Sequence, residues 1–342
     1  MKIVIDDKIP FINGVFEAQA EVVYAPGGAI DTAMVKDADA LIVRTRTQCK
    51  ASLLDGSKIK FIATATIGYD HIDAEYCADK GILWRSAPGC NADAVVQYVF
   101  SALGQLGKKQ NFDVRDKVLG VVGVGNVGSR VAAFAEKLGM QVLRNDPPRA
   151  DREGSAGFVT LDELKAKADI ITFHTPLTSD GSHPTFHLCG DHFFVEGMQR
   201  PIIINASRGE VCSNDTLIAA SKDGLVSALV IDCWENEPAI NLELLDLVDI
   251  ATFHIAGYSL EGKANATTAS VRAVSRFFNL GMDDWQVALP ANDSSCNALE
   301  DEIEQVMCSY DILEDCKTFK LSPSKFEELR GSYDFRRQPT CL

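Results

Sequence analysis

Short apolar segments alternate with longer polar stretches along the first quarter of the chain. The segments KIVID, EVVYA, ADALIVRT, KFIATAT and GILWRSA recur between residues 2 and 87, and the sequence between them is long enough for helices. Strand-length apolar segments that alternate with helix-length sequence are typical of a doubly wound α/β layer. The pattern therefore predicts a first α/β domain.

The same alternation repeats more strictly from residue 117 to residue 255. The segments VLGVVG, QVLRND, DIITFH, PIIINA, ALVIDCW and DIATFH are continuous apolar runs, which are typical of parallel strands covered on both faces. Polar or glycine residues follow each run, namely Gly123 to Gly128, Asp146, His174 and Thr175, Ser207 and Arg208, Asp232, and His254. Because ligands of open α/β sheets bind outside the carboxyl ends of the strands, we expect these residues to surround one site.

Two longer helical patterns divide the chain into domains. Residues 91–110 predict one long buried helix with Asn91 as its N-cap, and residues 258–281 predict a helix that returns to the first domain. We therefore expect two doubly wound Rossmann-like domains with parallel sheets and a cleft between them. The predicted boundaries are 1–95 with 256–283 for the discontinuous first domain, 96–255 for the second domain, and 284–342 for a small C-terminal α+β assembly domain.

Composition and charge narrow the classes of partner. The 342 residues carry a net charge of −15, which opposes binding to duplex nucleic acid or to an anionic membrane. No apolar run reaches the length of a membrane span, and the start MKIVIDDKIP carries acids where a signal peptide would continue apolar. The ten scattered cysteines form no CxxC pair, so we expect reduced thiols, no metal site and a cytoplasmic location.

A glycine motif after the strand VLGVV indicates a dinucleotide site. Gly123, Gly125 and Gly128 follow the GxGxxG pattern, in which the first glycine permits a tight turn, the second admits the pyrophosphate and the third allows close packing of helix and strand. The pyrophosphate then lies at a helix N-terminus. Asp146 ends the next strand, where a carboxylate accepts hydrogen bonds from the ribose hydroxyls and repels a 2′-phosphate, so NAD is favoured over NADP.

Three further strand ends carry groups suited to oxidation of an alcohol. His254 is the candidate base for the hydroxyl proton, and Glu237 in WENEP is the candidate carboxylate that stabilises the imidazolium. Arg208 presents a planar fork suited to a substrate carboxylate. Asp232 is placed to accept a hydrogen bond from the nicotinamide carboxamide.

The motifs GVGNVGSR, NDPPR, ITFHTPLT, INASRGEV, DCWENEP and HIAGYSLEGKA resemble, in order and spacing, those of D-2-hydroxyacid dehydrogenases. The resemblance covers about residues 1 to 285 and implies an NAD-dependent enzyme that forms a homodimer through its C-terminal domain. The implied substrate is a small anionic, phosphorylated 2-hydroxy acid.

The resemblance also implies roles for individual residues. It gives Arg208, Glu237 and His254 as the catalytic set, with His254 as the acid/base. Implied cofactor contacts are the glycine turn with Asn126 and Val127, Asp146, Thr175, Ala206, Ser207, Arg208, Asp232 and Gly257. Implied substrate contacts are Thr45, Thr66 and Tyr258, and we expect Arg44 and Arg46, two apart at a strand end, to point the same way and bind the phosphate.

Two alternatives remain open on the sequence. The substrate of another D-2-hydroxyacid dehydrogenase, such as a phosphoglycerate, is the nearer one. The other is an NAD-sensing corepressor, because some relatives of this fold use the dinucleotide as a conformational signal. Measured turnover separates the enzyme from the sensor.

Overall fold

The computed structural model describes residues 1–194 and 199–342, which divide into two compact units. The first unit contains residues 1–91 and 259–291, and the second contains residues 92–258 and 292–342. The predicted third domain is not a separate unit, since residues 292–342 group with the predicted second domain. Each unit is built on its own parallel sheet.

Within the described residues the strands are β1 (Lys2–Asp6), β2 (Glu21–Ala25), β3 (Ala40–Val43), β4 (Phe61–Thr64), β5 (Leu83–Arg85), β6 (Val118–Val122), β7 (Gln141–Asn145), β8 (Ile170–Phe173), β9 (Ile202–Asn205), β10 (Ala228–Ile231) and β11 (Ile250–Ala251). The α-helices are α1 (Thr32–Val35), α2 (Ala51–Leu54), α3 (Ala74–Asp79), α4 (Ala92–Gln110), α5 (Asn126–Lys137), α6 (Pro147–Glu153), α7 (Leu161–Lys167), α8 (Asn214–Lys222), α9 (Leu242–Leu247), α10 (Leu260–Phe278), α11 (Glu302–Ser309), α12 (Ile312–Leu321) and α13 (Phe326–Gly331). The strand segments that the apolar pattern predicted are confirmed.

The first unit is a five-stranded parallel sheet in the order β2-β1-β3-β4-β5. Successive side chains of β1 enter different clusters, with Val4 on one face and Ile3 and Ile5 on the other, as the alternation of a strand requires. Helix α10 covers the face of Ile3 and Ile5, where Phe277 stacks on Phe61 with ring centroids 4.7 Å apart. The sheet is therefore completed by a helix that begins 175 positions after the end of β5.

The second unit is a six-stranded parallel sheet in the order β11-β10-β9-β8-β6-β7. Strands β8, β9 and β10 are buried along their whole length, which explains why their sequences are continuously apolar. The strand order reverses between β6 and β8, and the glycine motif follows β6 directly. Ligands of this class of sheet bind at such a reversal.

The C-terminal segment, residues 292–342, packs on helix α4 and shares the core of the second unit. The crossing is close because Gly104 of α4 has no side chain, and a Cβ there would lie 2.4 Å from the Met307 Sδ. The regular elements of this segment are helices, in place of the predicted α+β mixture. Asp311 separates α11 from α12 by capping α12 at the Glu314 amide. No helix of the described ranges is long and apolar enough to cross a lipid bilayer.

Eight of the ten cysteines are reduced, and two form a disulfide. Cys296 and Cys308 form a disulfide in the C-terminal segment, with Cα atoms 5.5 Å apart, while the other eight are free thiols. The prediction of reduced thiols throughout is therefore wrong for this pair. The two cysteines are twelve positions apart, a spacing that belongs to no known cysteine motif. They meet because the chain turns back along α11.

Candidate active site

His254 and Glu237 form a hydrogen-bonded pair at the carboxyl edge of the second sheet. The ring Nδ1 of His254 lies 2.8 Å from Oε2 of Glu237, and the side chains are 28% and 19% exposed. With Nδ1–H donated to the carboxylate, Nε2 is the ring nitrogen that exchanges a proton with a ligand. The pair that the sequence predicted as base and carboxylate is therefore brought into direct contact.

Glu237 is held in its ionised form at this position. Burial on its own raises the pKa of Glu237, but the hydrogen bond and charge of His254, the Trp234 amide and the charge of Arg330 outweigh it, so the pKa lies below its usual value. The Trp234 amide donates to Oε1 at 2.8 Å, which fixes the carboxylate from the opposite side. Glu237 is thus oriented to support a protonated His254 ring.

Arg208 follows β9 in a loop that packs tightly on the loop of Glu237. Its guanidinium Nη1 donates to the carbonyl of Ser207 at 2.8 Å, and its own carbonyl accepts from the Asn205 side chain at 2.9 Å. A Cβ at Gly209 would lie 1.9 Å from the Trp234 carbonyl oxygen, so only glycine allows this approach. The two loops that carry Arg208 and Glu237 are therefore locked together through their backbones.

Asp232, at the end of β10, organises the segment after His254. Its buried carboxylate accepts from the Thr252 hydroxyl at 2.7 Å and from the amides of Ile255 at 2.8 Å and Ala256 at 2.9 Å. These contacts give Asp232 a structural function that the sequence did not reveal. Its predicted contact with the nicotinamide carboxamide stays a prediction, and so does the predicted cofactor contact of Gly257.

The glycine turn has the geometry that a dinucleotide requires. Gly123 has φ +84°, a conformation that glycine adopts at little cost, and a Cβ at Gly128 would lie 1.9 Å from the Gly123 carbonyl oxygen. A Cβ at Gly125 would meet no protein atom within 4 Å, so protein packing does not explain that glycine and the approach of a ligand does. Helix α5, which contains Asn126, Val127 and Gly128, begins there with no side-chain cap.

The strand end after β7 favours an adenosine without a 2′-phosphate. Asp146 accepts from the amides of Val124 at 2.8 Å and Arg149 at 3.0 Å, which ties it to the glycine turn. The two arginines nearby are engaged with carboxylates, Arg149 with Glu153 at 2.7 Å and Arg144 with Glu136 at 2.7 Å. The local charge therefore agrees with the predicted preference for NAD.

Beside Gly123, two buried polar atoms lack a protein partner. These are Nδ1 of His174 and Oγ1 of Thr175, at the end of β8. Burial lowers the pKa of His174 to about 3, so the ring is neutral, and its Nε2 lies 3.0 Å from the Thr172 hydroxyl. Orphaned buried polar atoms are costly unless a ligand completes them, so they fit a bound dinucleotide. Ala206 and Ser207 lie at the end of the adjacent strand β9.

The predicted phosphate and substrate contacts of the first unit follow β3 and β4. Strand β3 ends at Val43, so Arg44 and Arg46 lie in a turn, and the expectation that both side chains follow one strand direction is wrong. The Arg44 guanidinium pairs with fully buried Asp6 through contacts of 3.1 and 3.3 Å. Thr66 is held by hydrogen bonds to the Thr64 hydroxyl at 2.7 Å and the Gly68 carbonyl at 2.9 Å. Thr45 shares the turn of Arg46.

Tyr258, a predicted substrate contact, is surrounded by the C-terminal segment. The Arg330 guanidinium lies 5.9 Å from its ring centroid, and the rings of Tyr333 and Phe335 lie 6.1 and 6.0 Å away. Sequence reasoning assigned this segment to assembly and missed its proximity to the site. No local motif marks it, because these contacts join residues more than seventy positions apart.

The side chains of the site also form the single group with the composition of a metal site within the described ranges. One ligand atom each of Cys233, Glu237 and His254 lies within 4.8 Å of the others. Glu237 and His254 are bonded to each other, however, and the Cys233 thiol lies 3.4 Å from the Ser207 carbonyl. Each of the three side chains is therefore held by a protein group.

Known proteins resemble the chain along its whole length. Residues 98–256 match the model of the D-isomer specific 2-hydroxyacid dehydrogenase NAD-binding domain. An erythronate-4-phosphate dehydrogenase of Bacteroides thetaiotaomicron is 48% identical over 99% of the chain and 97% of its own length. One of the same name from Cronobacter sakazakii is 44% identical over 100% of the chain and 93% of its own length.

A solved structure supports the fold. The NAD⁺-bound 3-phosphoglycerate dehydrogenase of Entamoeba histolytica is 26% identical, with a TM-score of 0.67 over 85% of this chain and 99% of that one. The geometry of the glycine turn, the His254–Glu237 pair and these similarities all indicate the same family. The chain belongs to the NAD-dependent D-isomer-specific 2-hydroxyacid dehydrogenases.

Proposed function

We propose that the chain oxidises 4-phospho-D-erythronate to (R)-3-hydroxy-2-oxo-4-phosphooxybutanoate with NAD, a step in the biosynthesis of pyridoxal 5′-phosphate (vitamin B6). The observation that carries the proposal is the His254–Glu237 pair, 2.8 Å apart at the same sheet edge as the glycine turn. Relatives named erythronate-4-phosphate dehydrogenase, with 48% and 44% identity, support the choice of substrate.

His254 is the base of the proposed reaction. Its Nε2 takes the proton of the C2 hydroxyl while the C2–H bond gives up its hydride, so the alcohol carbon becomes a carbonyl. The ionised carboxylate of Glu237 stabilises the imidazolium that forms and keeps Nδ1 protonated throughout. NAD, when bound, supplies the hydride acceptor.

Arg208 orients the substrate in this scheme. Its guanidinium is anchored by one donor to the Ser207 carbonyl, and its planar geometry suits a carboxylate and the adjacent C2 oxygen. As the oxygen of C2 gains carbonyl character, the same cation stabilises it. The glycine turn, Asp146, Thr175 and the backbone of Ala206 and Ser207 are the proposed holders of the cofactor.

Recognition of the substrate phosphate is proposed for the first unit. Arg44, whose guanidinium is held by Asp6, and Arg46 are its proposed contacts. Thr45, Thr66 and Tyr258 remain the proposed substrate contacts. The hydrogen bonds that fix the Thr66 hydroxyl support this role.

We also propose a homodimer in the cytoplasm. The family resemblance supports dimerisation through the C-terminal segment, and the eight free thiols support a reducing compartment. Sedimentation of the purified chain tests the dimer, and a monomer at micromolar concentration contradicts it.

The reaction is tested by turnover of 4-phospho-D-erythronate with NAD and an added 2-oxo acid that reoxidises bound NADH. 3-Phosphoglycerate and unphosphorylated erythronate are the comparison substrates, and His254→Gln is the control for contaminating dehydrogenases. We expect a clear preference for phosphoerythronate in the wild type and background rates in the variant. Better turnover of another hydroxy acid overturns the substrate, and tight NAD binding without turnover of any hydroxy acid favours the sensor.

A further inference from the structure

The peptide segment that follows His254 is held on two sides by charged groups. The Asp232 carboxylate accepts the amides of Ile255 and Ala256. On the other side, the Arg336 guanidinium donates to the carbonyls of the same two residues, at 3.0 Å from Nη1 and 2.5 Å from Nη2. The anion thus binds the N–H groups and the cation binds the C=O groups of one short segment.

Arg336 is built into the interior of the second unit. The residue is 9% exposed, its Nε donates to the Gln97 side chain at 3.0 Å, and Nη2 also donates to the Ala94 carbonyl at 3.1 Å. Its guanidinium carbon lies 4.1 Å from the centroid of the Tyr310 ring. Burying a cation is costly unless its donors are satisfied, so a guanidinium with these partners has a fixed position.

The segment needs this support because His254 has an unfavourable backbone conformation. Its φ is +59°, in the left-handed region that L-residues with a side chain avoid. Such a conformation persists when the surrounding structure over-determines it. The His254 amide donates to the Asp232 carbonyl at 2.9 Å, and the two peptides that follow are fixed by Asp232 and Arg336.

We propose that Arg336 is a positioning residue for His254, so that the C-terminal segment contributes directly to catalysis. The inference rests on the proposed function of His254 as the base. Arg336 does not touch the reacting atoms in this scheme. It fixes the Ile255 and Ala256 carbonyls and, with Asp232, the direction in which the His254 Nε2 points.

The test compares Arg336→Met and Arg336→Lys with Arg115→Met. Arg115 is a matched control, because it also joins the C-terminal segment to the rest of the second unit, through Asp301 at 2.5 Å, but it does not contact the His254 segment. We expect kcat to fall about 10²-fold in Arg336→Met, as a displacement of about 1 Å does for catalytic groups. Lysine keeps the charge but not the fork, so Arg336→Lys should recover about tenfold of this loss.

Three readouts separate positioning from a general loss of structure. KM for the substrate and Kd for NADH should change much less than kcat, because the glycine turn, Asp146 and Arg208 lie outside the segment that Arg336 holds. The isotope effect on kcat with C2-deuterated substrate should rise, since the chemical step is slowed. A smaller folded fraction lowers kcat without changing the isotope effect.

The ¹⁵N spectrum of labelled histidines provides a readout independent of substrate. The His254 signals, assigned with His254→Gln, should change in both Arg336 variants and not in Arg115→Met. Unchanged His254 signals, or kcat values equal to that of Arg115→Met, overturn the inference. If the wild type turns over no hydroxy acid, the proposed function fails, and the histidine spectra alone decide whether Arg336 positions His254.

Discussion

At the scale of single residues, the orientation and tautomer of His254 depend on the hydrogen bonds that each atom of Glu237 makes. Glu237 uses one carboxylate oxygen for the Trp234 amide and the other for the His254 ring. The ring is thereby fixed in the tautomer whose Nε2 accepts a proton. Hydrogen bonds to the two oxygens of one carboxylate therefore determine which nitrogen of the histidine is left for a ligand.

Glu237→Gln tests this dependence. If the glutamine oxygen accepts from Trp234, its NH₂ group faces Nδ1 and favours the opposite tautomer, so we expect kcat to fall roughly 10²- to 10⁴-fold. Steady-state turnover measures the loss. Glu235→Gln is the matched control, because Glu235 binds His187 at 2.6 Å and the Asn214 amide at 2.7 Å without touching His254. Similar losses in both variants contradict the argument.

His174 makes the second unit sensitive to acid. Its pKa is lowered by burial from 6.5 to about 3, so protonation below the unfolded pKa favours the unfolded chain. Between pH 7 and pH 5 this histidine should remove about 2 kcal/mol from the free energy of unfolding. Urea unfolding of His174→Asn should lack this part of the loss, whereas His183→Asn, at a more exposed position, should retain it. Parallel acid profiles of the wild type and His174→Asn refute the assignment.

At the scale of elements, the residues of the candidate site follow the carboxyl ends of the parallel strands. Strands β6, β9, β10 and β11 are parallel neighbours or near neighbours, so their carboxyl ends carry the glycine turn, Arg208, Asp232 and His254 to one edge. The loops beyond them are fixed by close backbone packing. Gly209 is the tightest example, because the Trp234 carbonyl occupies the place of its Cβ.

Gly209→Ala should separate the loops of Arg208 and Glu237. A methyl group 1.9 Å from a backbone oxygen forces one loop to move, so we expect kcat/KM to fall about 10²-fold or more. Gly28→Ala is the control, since a Cβ there meets nothing within 4 Å. Turnover of the two variants, with melting temperatures to check folding, decides the matter, and full activity of Gly209→Ala contradicts the packing argument.

At the scale of the whole molecule, the sequence predicted correctly those features that depend on residues close together along the chain. The buried strands are continuous apolar runs, and the glycine turn and the His254 and Glu237 loops carry short motifs. Arg336, Arg330 and the Asp6–Arg44 pair were missed, because each acts across a long separation along the chain that no periodicity records. The C-terminal segment was misassigned as a separate domain for the same reason.

The two units should respond differently to NAD, because the glycine turn belongs to the second alone. The chain has three tryptophans, of which Trp234 lies in the second unit and Trp84 and Trp285 in the first. In the double variant Trp84→Phe/Trp285→Phe, fluorescence reports the second unit, and NAD at 100 times its Kd should stabilise it by about 2.7 kcal/mol. In Trp234→Phe the fluorescence reports the first unit, whose free energy of unfolding should not change by this amount. An equal shift of both reporters shows that the units unfold as one.

Because the first unit is discontinuous, its parts become available for folding at different times during synthesis. Strands β1 to β5 leave the ribosome early, but α10, which covers their Ile3, Ile5 and Phe61 face, is translated only after residue 259. Throughout translation of the intervening residues, that apolar face lacks the part of its cover that α10 supplies. We therefore expect the nascent chain to expose apolar surface to other proteins, such as chaperones, until the ribosome has passed α10.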